Sequence, residues 1–143
     1  MLLIDANLLI YAYHAESEDH AAAKEWLEAT FSAADAVALP WQSIPAFLRI
    51  TTHARVFQKP LAMRTARTIV ATWLERPQVY ISEPGARYFE VLSDLFDSAK
   101  IKGALVTDAA LAALAIEHGA TLCTTDGDFA RFKGLKYLNP LRR

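Results

Sequence analysis

With one cysteine, five glycines and six prolines among 143 residues, the chain lacks the raw material of several architectures. A lone Cys123 forbids an internal disulfide and any cysteine-clustered zinc site, and it fits a reducing cytoplasm. No Gly/Ser linker, repeat or low-complexity tract is present, and with so few glycines and prolines wholesale disorder and low-complexity architectures are excluded. No glycine-rich phosphate loop follows an apolar run, which disfavours a nucleotide-binding Rossmann protein. Long uninterrupted apolar runs are missing too. The opening MLLIDANLLIYAYHA is broken by Asp5 and has no basic start, so it does not read as a secretory leader. The stretch from Ile101 to Ile116 carries Lys102 and Asp108 and is shorter than the roughly 20 residues a membrane span needs. Nor is there an excess of one charge: the formal net charge is −1, so global electrostatics does not advertise a polyanion binder.

What is present is a core. The sequence is 53% hydrophobic and 22% charged, a composition that folds, and its length fits a single domain over residues 1–143. Charge is unevenly placed. Residues 1–48 hold seven acids and one base, and residues 49–82 hold six bases (Arg49, Arg55, Lys59, Arg64, Arg67, Arg76) against Glu75 alone. A basic middle segment in a near-neutral chain is either a polyanion-facing surface or a solvated helix face.

Short apolar runs alternate with helical patterns. Leu2-Leu3-Ile4 reads as a strand and residues 7–13 as a helix. Ser17 to Phe31 follows with Ala21, Ala22, Trp26 and Ala29 at three- and four-residue spacing. Residues 36–39 read as a second strand, and Pro40-Trp41 as the start of a helix that Pro45 keeps short or kinks. A helix from about Leu61 to Glu75 stops at Pro77. Residues 79–81, 121–124 and 136–138 read as further strands. Helices over 85–99 and 106–118, the latter closed by Gly119, and a short one over 126–132 complete the pattern. Buried strands separated by helices imply α/β, with a parallel sheet of about five strands covered on both faces.

In open α/β sheets ligands bind beyond the carboxyl ends of the strands, so the polar residues ending strands are the candidates. Asp5 follows the first strand, Asp126 and Asp128 follow the fourth, and Asp108 opens the helix leading into the fourth. If the first and fourth strands are neighbours, these side chains meet. Helix capping would account for each of these acids singly. Converging carboxylates repel unless some are protonated or a cation sits among them. With no His or Cys in the group, an all-oxygen set favours Mg²⁺ or Mn²⁺ over zinc or copper. Such an ion can activate water for attack on a phosphodiester, and a pair about 4 Å apart suits in-line displacement.

With those acids in place, the sequence resembles the PIN-domain ribonucleases, in particular the VapC-type toxins of VapBC toxin–antitoxin modules. LLIDANLLIYAY resembles the family's strand–Asp–x–Asn–helix start, and VTDAALAALAIEHGATLCTTDGDFARF resembles its third-acid helix running into T-x-D-x-D-F. LKYLNPL resembles its last strand and tail. The resemblance spans essentially the whole chain and implies a three-layer α/β/α fold. It also implies that Asp5, Asp108 and Asp126 ligate Mg²⁺ or Mn²⁺, that Asp128 is an accompanying acid, and that Asn7 and Thr124 orient the ligands. One position departs: where the family usually carries glutamate in the helix after the second strand, this chain has Ala46. Glu16 and Glu18 are the nearest preceding acids. Losing that carboxylate weakens a second metal position more than the first, leaving single-ion catalysis or reduced activity open.

The implied activity is endoribonucleolytic hydrolysis of transfer or ribosomal RNA in the cytoplasm. Arg49, Arg55, Lys59 and also Arg64 would hold phosphates around the acidic centre, and Trp41 or His53 would stack an unpaired base unless packed in the core. His14, His20 and His118 receive no role. The resemblance further implies a homodimer and a VapB-like antitoxin whose C-terminal segment occludes the pocket. Leu8, Leu9, Tyr11, Trp26 and Leu27 are either its groove or plain core. The non-enzyme rival is a catalytically weak PIN-like RNA-binding or protein-interaction module. A haloacid-dehalogenase phosphatase also starts strand–Asp, but it needs a second aspartate where Asn7 stands. A receiver domain needs an aspartate where the third strand ends in Ser82-Glu83.

Overall fold

The structure is a computed structural model that describes residues 1–142. Its elements in chain order are β1 (Leu2–Ile4), α1 (Ala6–Tyr11), α2 (His20–Ser32), β2 (Val37–Pro40), α3 (Ser43–Thr51), α4 (Met63–Leu74), β3 (Val79–Ser82), α5 (Tyr88–Ala99), α6 (Leu105–Glu117), β4 (Thr121–Cys123) and β5 (Tyr137–Leu138), with a 3₁₀ turn at Gly127–Arg131. The five strands form one sheet in the order β3-β2-β1-β4-β5, every pairing parallel. β1 is therefore central, and the chain goes to one side of it for β2 and β3 and to the other for β4 and β5. That reversal opens a crevice between the carboxyl ends of β1 and β4.

Parallel strands are buried on both faces, so apolar residues run continuously and the alternation shows only in what each residue packs against. Ile4, Val37, Leu39, Val79 and Cys123 face one core, built with α1 to α4. Leu3, Ala38 and Leu122 face the other, built with α5, α6 and the 3₁₀ turn. The first core centres on aromatics: Phe47 lies edge-on to Trp73 at 4.8 Å and to Tyr13 at 5.6 Å, and Phe31 stacks on Trp73 at 6.0 Å. The second is alanine-rich, with Ala109, Ala112, Ala113 and Ala115 all buried on α6.

Several boundaries differ from the expected ones, each for a local reason. α2 begins at His20 rather than Ser17, because the Ser17 carbonyl accepts from His20 N–H (3.1 Å) and its hydroxyl from Asp19 N–H (3.1 Å), which uses Ser17 in a turn before the helix. Pro40 ends β2 opposite Ser82 instead of starting a helix, and α3 begins at Ser43. Pro45 then falls in the first turn, where a missing N–H costs nothing. α5 starts at Tyr88 rather than Gly85 because the Glu117 carboxylate accepts from the amides of Gly85 (2.7 Å) and Arg87 (3.0 Å), holding that segment outside the helix. The end of α6 is as expected. Gly119 takes φ +64°, and the pair Gly119 N–H to Ile116 carbonyl (3.1 Å) and Ala120 N–H to Ala115 carbonyl (2.9 Å) closes the helix as a Schellman motif.

Candidate active site at the carboxyl edge of the sheet

β1 ends at Ile4, so Asp5 emerges into the crevice, fastened by its own N–H to the Cys123 carbonyl (3.0 Å). β4 ends at Cys123, and the next residue, Thr124, is buried. The Thr124 hydroxyl donates to Asp5 Oδ2 (2.8 Å) and accepts from Asp126 N–H (3.1 Å). Asp126 Oδ1 in turn accepts from Asp128 N–H (2.8 Å). One hydroxyl thus ties the ends of the two neighbouring strands into a single polar chain, 119 residues apart in sequence.

The capping explanation holds for one acid only. Asp126 caps the 3₁₀ turn through that bond to Asp128. Asp5 occupies the N-cap position of α1 with its carboxyl near the Ala6 and Asn7 amides but forms no cap hydrogen bond of normal geometry, and Asp108 lies inside the first turn of α6, whose cap position is Ala104. Burial drives the Asp5 carboxyl above its ordinary pKa of 3.8, and the negative charge of Asp108 adds to this. The Thr124 bond and the nearby amides of Ala6 and Asn7 pull it back down. Asp108 is also raised, first by burial and then by the charges of Asp126 and Asp128, with Arg131 opposing. Asp108 is therefore the acid that links the group, its charge reaching Asp5 on one side and those of Asp126 and Asp128 reaching it on the other.

They do not close into one cage. Asp5 and Asp108 line a cavity of about 180 Å³ together with Ala6, Gln42, Ser43, Ala46, Thr107 and Leu111. Asp126 lines a smaller neighbouring one, about 60 Å³, with Thr124, Tyr137, Asn139 and Arg142. Asp128 is exposed and faces Arg131 at 3.9 Å. Among the described residues no three His, Cys, Asp or Glu side chains gather tightly enough to grip a metal together. The donor set still suits a hard cation: every donor is oxygen, and Mg²⁺ keeps several waters while using one or two carboxylates. Asp5 and Asp108, sharing a cavity, are the pair that fits.

The other expected residues fall as follows. Ala46 does reach the cavity wall, so the departure from the family pattern sits at the site itself. Glu16 does not replace the missing acid, since it is held by His14 (2.9 Å). Asn7 faces Asp5 through its backbone amide, and its side chain makes no hydrogen bond among the described residues. Arg49 lies three residues past Ala46 on α3, and Arg55 and Lys59 lie on the loop beyond that helix. All three are exposed and without an acidic partner among the described residues, whereas Arg76 is tied to the Phe31 carbonyl (2.5 Å). Leu8, Leu9 and Leu27 are core, which decides for the plain-core alternative over the groove, and of that set Trp26 lines surface cavities. Cys123 is buried beside the site, and its thiol is pushed up to about 12, so it stays protonated and unreactive. Reading the sequence missed Gln42, Ser43 and Thr107. Gln42 was within reach, being one helical turn before Ala46.

Thr124→Val keeps the shape and removes the hydroxyl. It is expected to lower stability at pH 7 by about 1 kcal/mol, because it leaves a half-buried carboxylate short of a donor. It should also raise the Asp5 pKa further. Thermal melts and a carboxyl NMR titration read both effects, and unchanged values would mean that the hydroxyl holds nothing in place.

Comparison with known proteins adds an independent line. A PIN domain family model matches residues 2–135. The chain is 38% identical over 140 residues to a Mycobacterium tuberculosis protein named Ribonuclease VapC37, covering 98% of this chain and 97% of that one. It is 37% identical over 142 residues to Ribonuclease VapC33 of the same species, covering 99% of each. Among solved structures, VapBC2 from Rickettsia felis bound to a promoter DNA fragment superposes with a TM-score of 0.70 at 18% identity, covering 96% of this chain and 97% of that one. VapC20 of Mycobacterium tuberculosis, described as a sarcin-ricin loop cleaving toxin, superposes at 0.65 and 15% identity, covering 95% and 99%.

Proposed function

Because this chain belongs to the PIN domain family, we propose that it is a Mg²⁺- or Mn²⁺-dependent endoribonuclease, the toxin of a type II toxin–antitoxin pair acting on transfer or ribosomal RNA in the cytoplasm. The observation that carries this reading is the polar chain from Asp5 through Thr124 to Asp126, at the point where strand order reverses, with Asp108 facing Asp5 across one cavity. Relatives over nearly the full length bear the name ribonuclease, which supports the same activity.

Asp5 and Asp108 would hold the cation directly or through water, and Asp126, with Asp128 behind it, would hold its water shell. When bound, the cation supplies an activated water and neutralises charge building on the phosphate. The protein's own part is positional. Thr124 keeps the Asp5 carboxylate turned into the crevice. Arg49 approaches the phosphates next to the cavity. Arg55 and Lys59, beyond the far end of a nine-residue helix, would contact backbone roughly 13 Å away.

The partner in this reading is a VapB-like antitoxin. The surface offered to it includes the two cavities that meet at Trp26 and Ala29, bordered by Glu25 and Asp35, which suit a basic, partly apolar segment. A second copy of the chain would cover the exposed Phe89 on α5 (74% exposed), and the sedimentation mass decides that point.

The test is cleavage of total RNA by the purified protein with Mg²⁺ or Mn²⁺, with chelator and Asp5→Asn as controls, followed by sequencing of the new RNA ends. Cleavage that depends on both the metal and Asp5 supports the proposal. If metal-loaded protein and Asp5→Asn leave RNA equally intact, the second reading stands: a binding module, favoured by the neutral Ala46 in the cavity wall.

A further inference from the structure

Of the three tryptophans, Trp73 is 3% exposed and Trp26 is half-buried, while Trp41 is 56% exposed. A core role for Trp41 is thereby overturned, and its indole stacks on no aromatic ring or cation among the described residues. It stands directly after β2, on the sheet edge that carries the acids. Its neighbour Gln42 lines the same cavity as Asp5 and Asp108, and the Gln42 amide has no hydrogen-bond partner among the described residues.

The pair is also rigidly mounted. Pro40 precedes it in the β2–β3 ladder, and Pro45 follows in the first turn of α3. The Trp41 carbonyl accepts from Ile44 N–H (3.1 Å) and the Gln42 carbonyl from Ala46 N–H (3.4 Å). A bare indole face and a free amide, held on one short segment at the mouth of the acidic cavity, match what an unpaired nucleotide requires. The ring offers a stacking surface that tolerates any base, and the amide offers one donor and one acceptor for a base edge.

We propose that Trp41 and Gln42 form a base-recognition subsite for one unpaired RNA nucleotide beside the scissile phosphate, Trp41 stacking on the base and Gln42 selecting it. This rests on the ribonuclease reading for its biological meaning. A protein partner on Trp41 is the competing occupant; the free Gln42 amide on the wall of the cavity proposed to hold the cation, with Arg49 exposed on the same helix to meet phosphate, favours RNA.

Two measurements on the full-length protein test it. In chelator, single-stranded oligoribonucleotides are titrated while tryptophan fluorescence is followed. Quenching is expected for the wild type and for Gln42→Ala, and its loss in Trp41→Phe would place the stacked base on Trp41. With Mn²⁺, cleavage of an oligoribonucleotide pool randomised in an unpaired loop is sequenced. Trp41→Ala should lower kcat/KM about tenfold or more, mainly through KM, and Trp41→Phe should recover much of it. Gln42→Ala should flatten the preference at one nucleotide position and leave the others unchanged. Wild-type cleavage with no quenching, and with variants matching the wild-type pattern, overturns the subsite and leaves the ribonuclease reading standing. Quenching without cleavage by any protein overturns the nuclease and keeps the stacking site. Neither quenching nor cleavage with RNA overturns the proposal together with the ribonuclease reading it rests on.

Discussion

Asp108→Asn is expected to cut RNA cleavage by at least about a hundredfold while making the metal-free protein more stable at neutral pH. The two effects share one cause. Burial and the charges of Asp126 and Asp128 raise the Asp108 carboxyl above its unfolded value of 3.8. The folded state therefore holds this proton more tightly than the unfolded chain does. Stability from this group is full below pH 3.8 and is lost as pH rises through the higher folded value. At pH 7 the ionised carboxylate destabilises the fold, and a neutral amide removes that penalty. Asp108 is partly exposed and solvent screens it, so the gain is below about 1 kcal/mol, or roughly 3 °C in Tm. The gain should vanish in melts at pH 3 and, on the proposed metal-dependent reading, reverse at saturating Mn²⁺, where the wild type would gain stability from an ion it would bind better than the variant. Melts in which the variant is less stable than wild type at pH 7 without metal would falsify the electrostatic account of this cavity.

Phe47→Ala is expected to cost about 3–5 kcal/mol and to lower Tm by roughly 10 °C or more. Phe47 is fully buried, edge-on to both Trp73 and Tyr13, and lies between the sheet and α4. Its carbonyl also accepts from the Thr51 hydroxyl (2.7 Å), so the ring anchors the middle of α3 while its backbone serves the end. Truncation removes the ring contacts and leaves a void that the rigid aromatic neighbours fill poorly. Phe47 follows Ala46 on the helix that presents Gln42 to the acid cavity, so activity should fall at temperatures where the variant is still largely folded. Urea unfolding followed by far-UV circular dichroism measures the loss. A cost under about 1 kcal/mol would mean that α3 is held by other contacts.

Much of this molecule is written in local pattern. Strand–Asp at Ile4-Asp5, the stop at Gly119 and the short run Thr121–Cys123 followed by Thr124 and Asp126 are legible because side-chain period and turn chemistry act over a few residues. The strand order is a different matter. That β1 lies against β4, and that the Thr124 hydroxyl consequently meets Asp5, depends on pairings between residues more than a hundred positions apart, which no local spacing encodes. Exposure followed the same division. Trp26, Trp41 and Trp73 are one residue type with three degrees of burial, and the element packed on each decides which face reaches solvent. α5 starts at Tyr88 and not at Gly85 because Glu117, 32 residues beyond Gly85, captures the Gly85 amide. Local chemistry chose the elements and supplied the acids. Long-range packing chose their neighbours, and so made Asp5 and Asp108 share a cavity while setting Asp126 in the next.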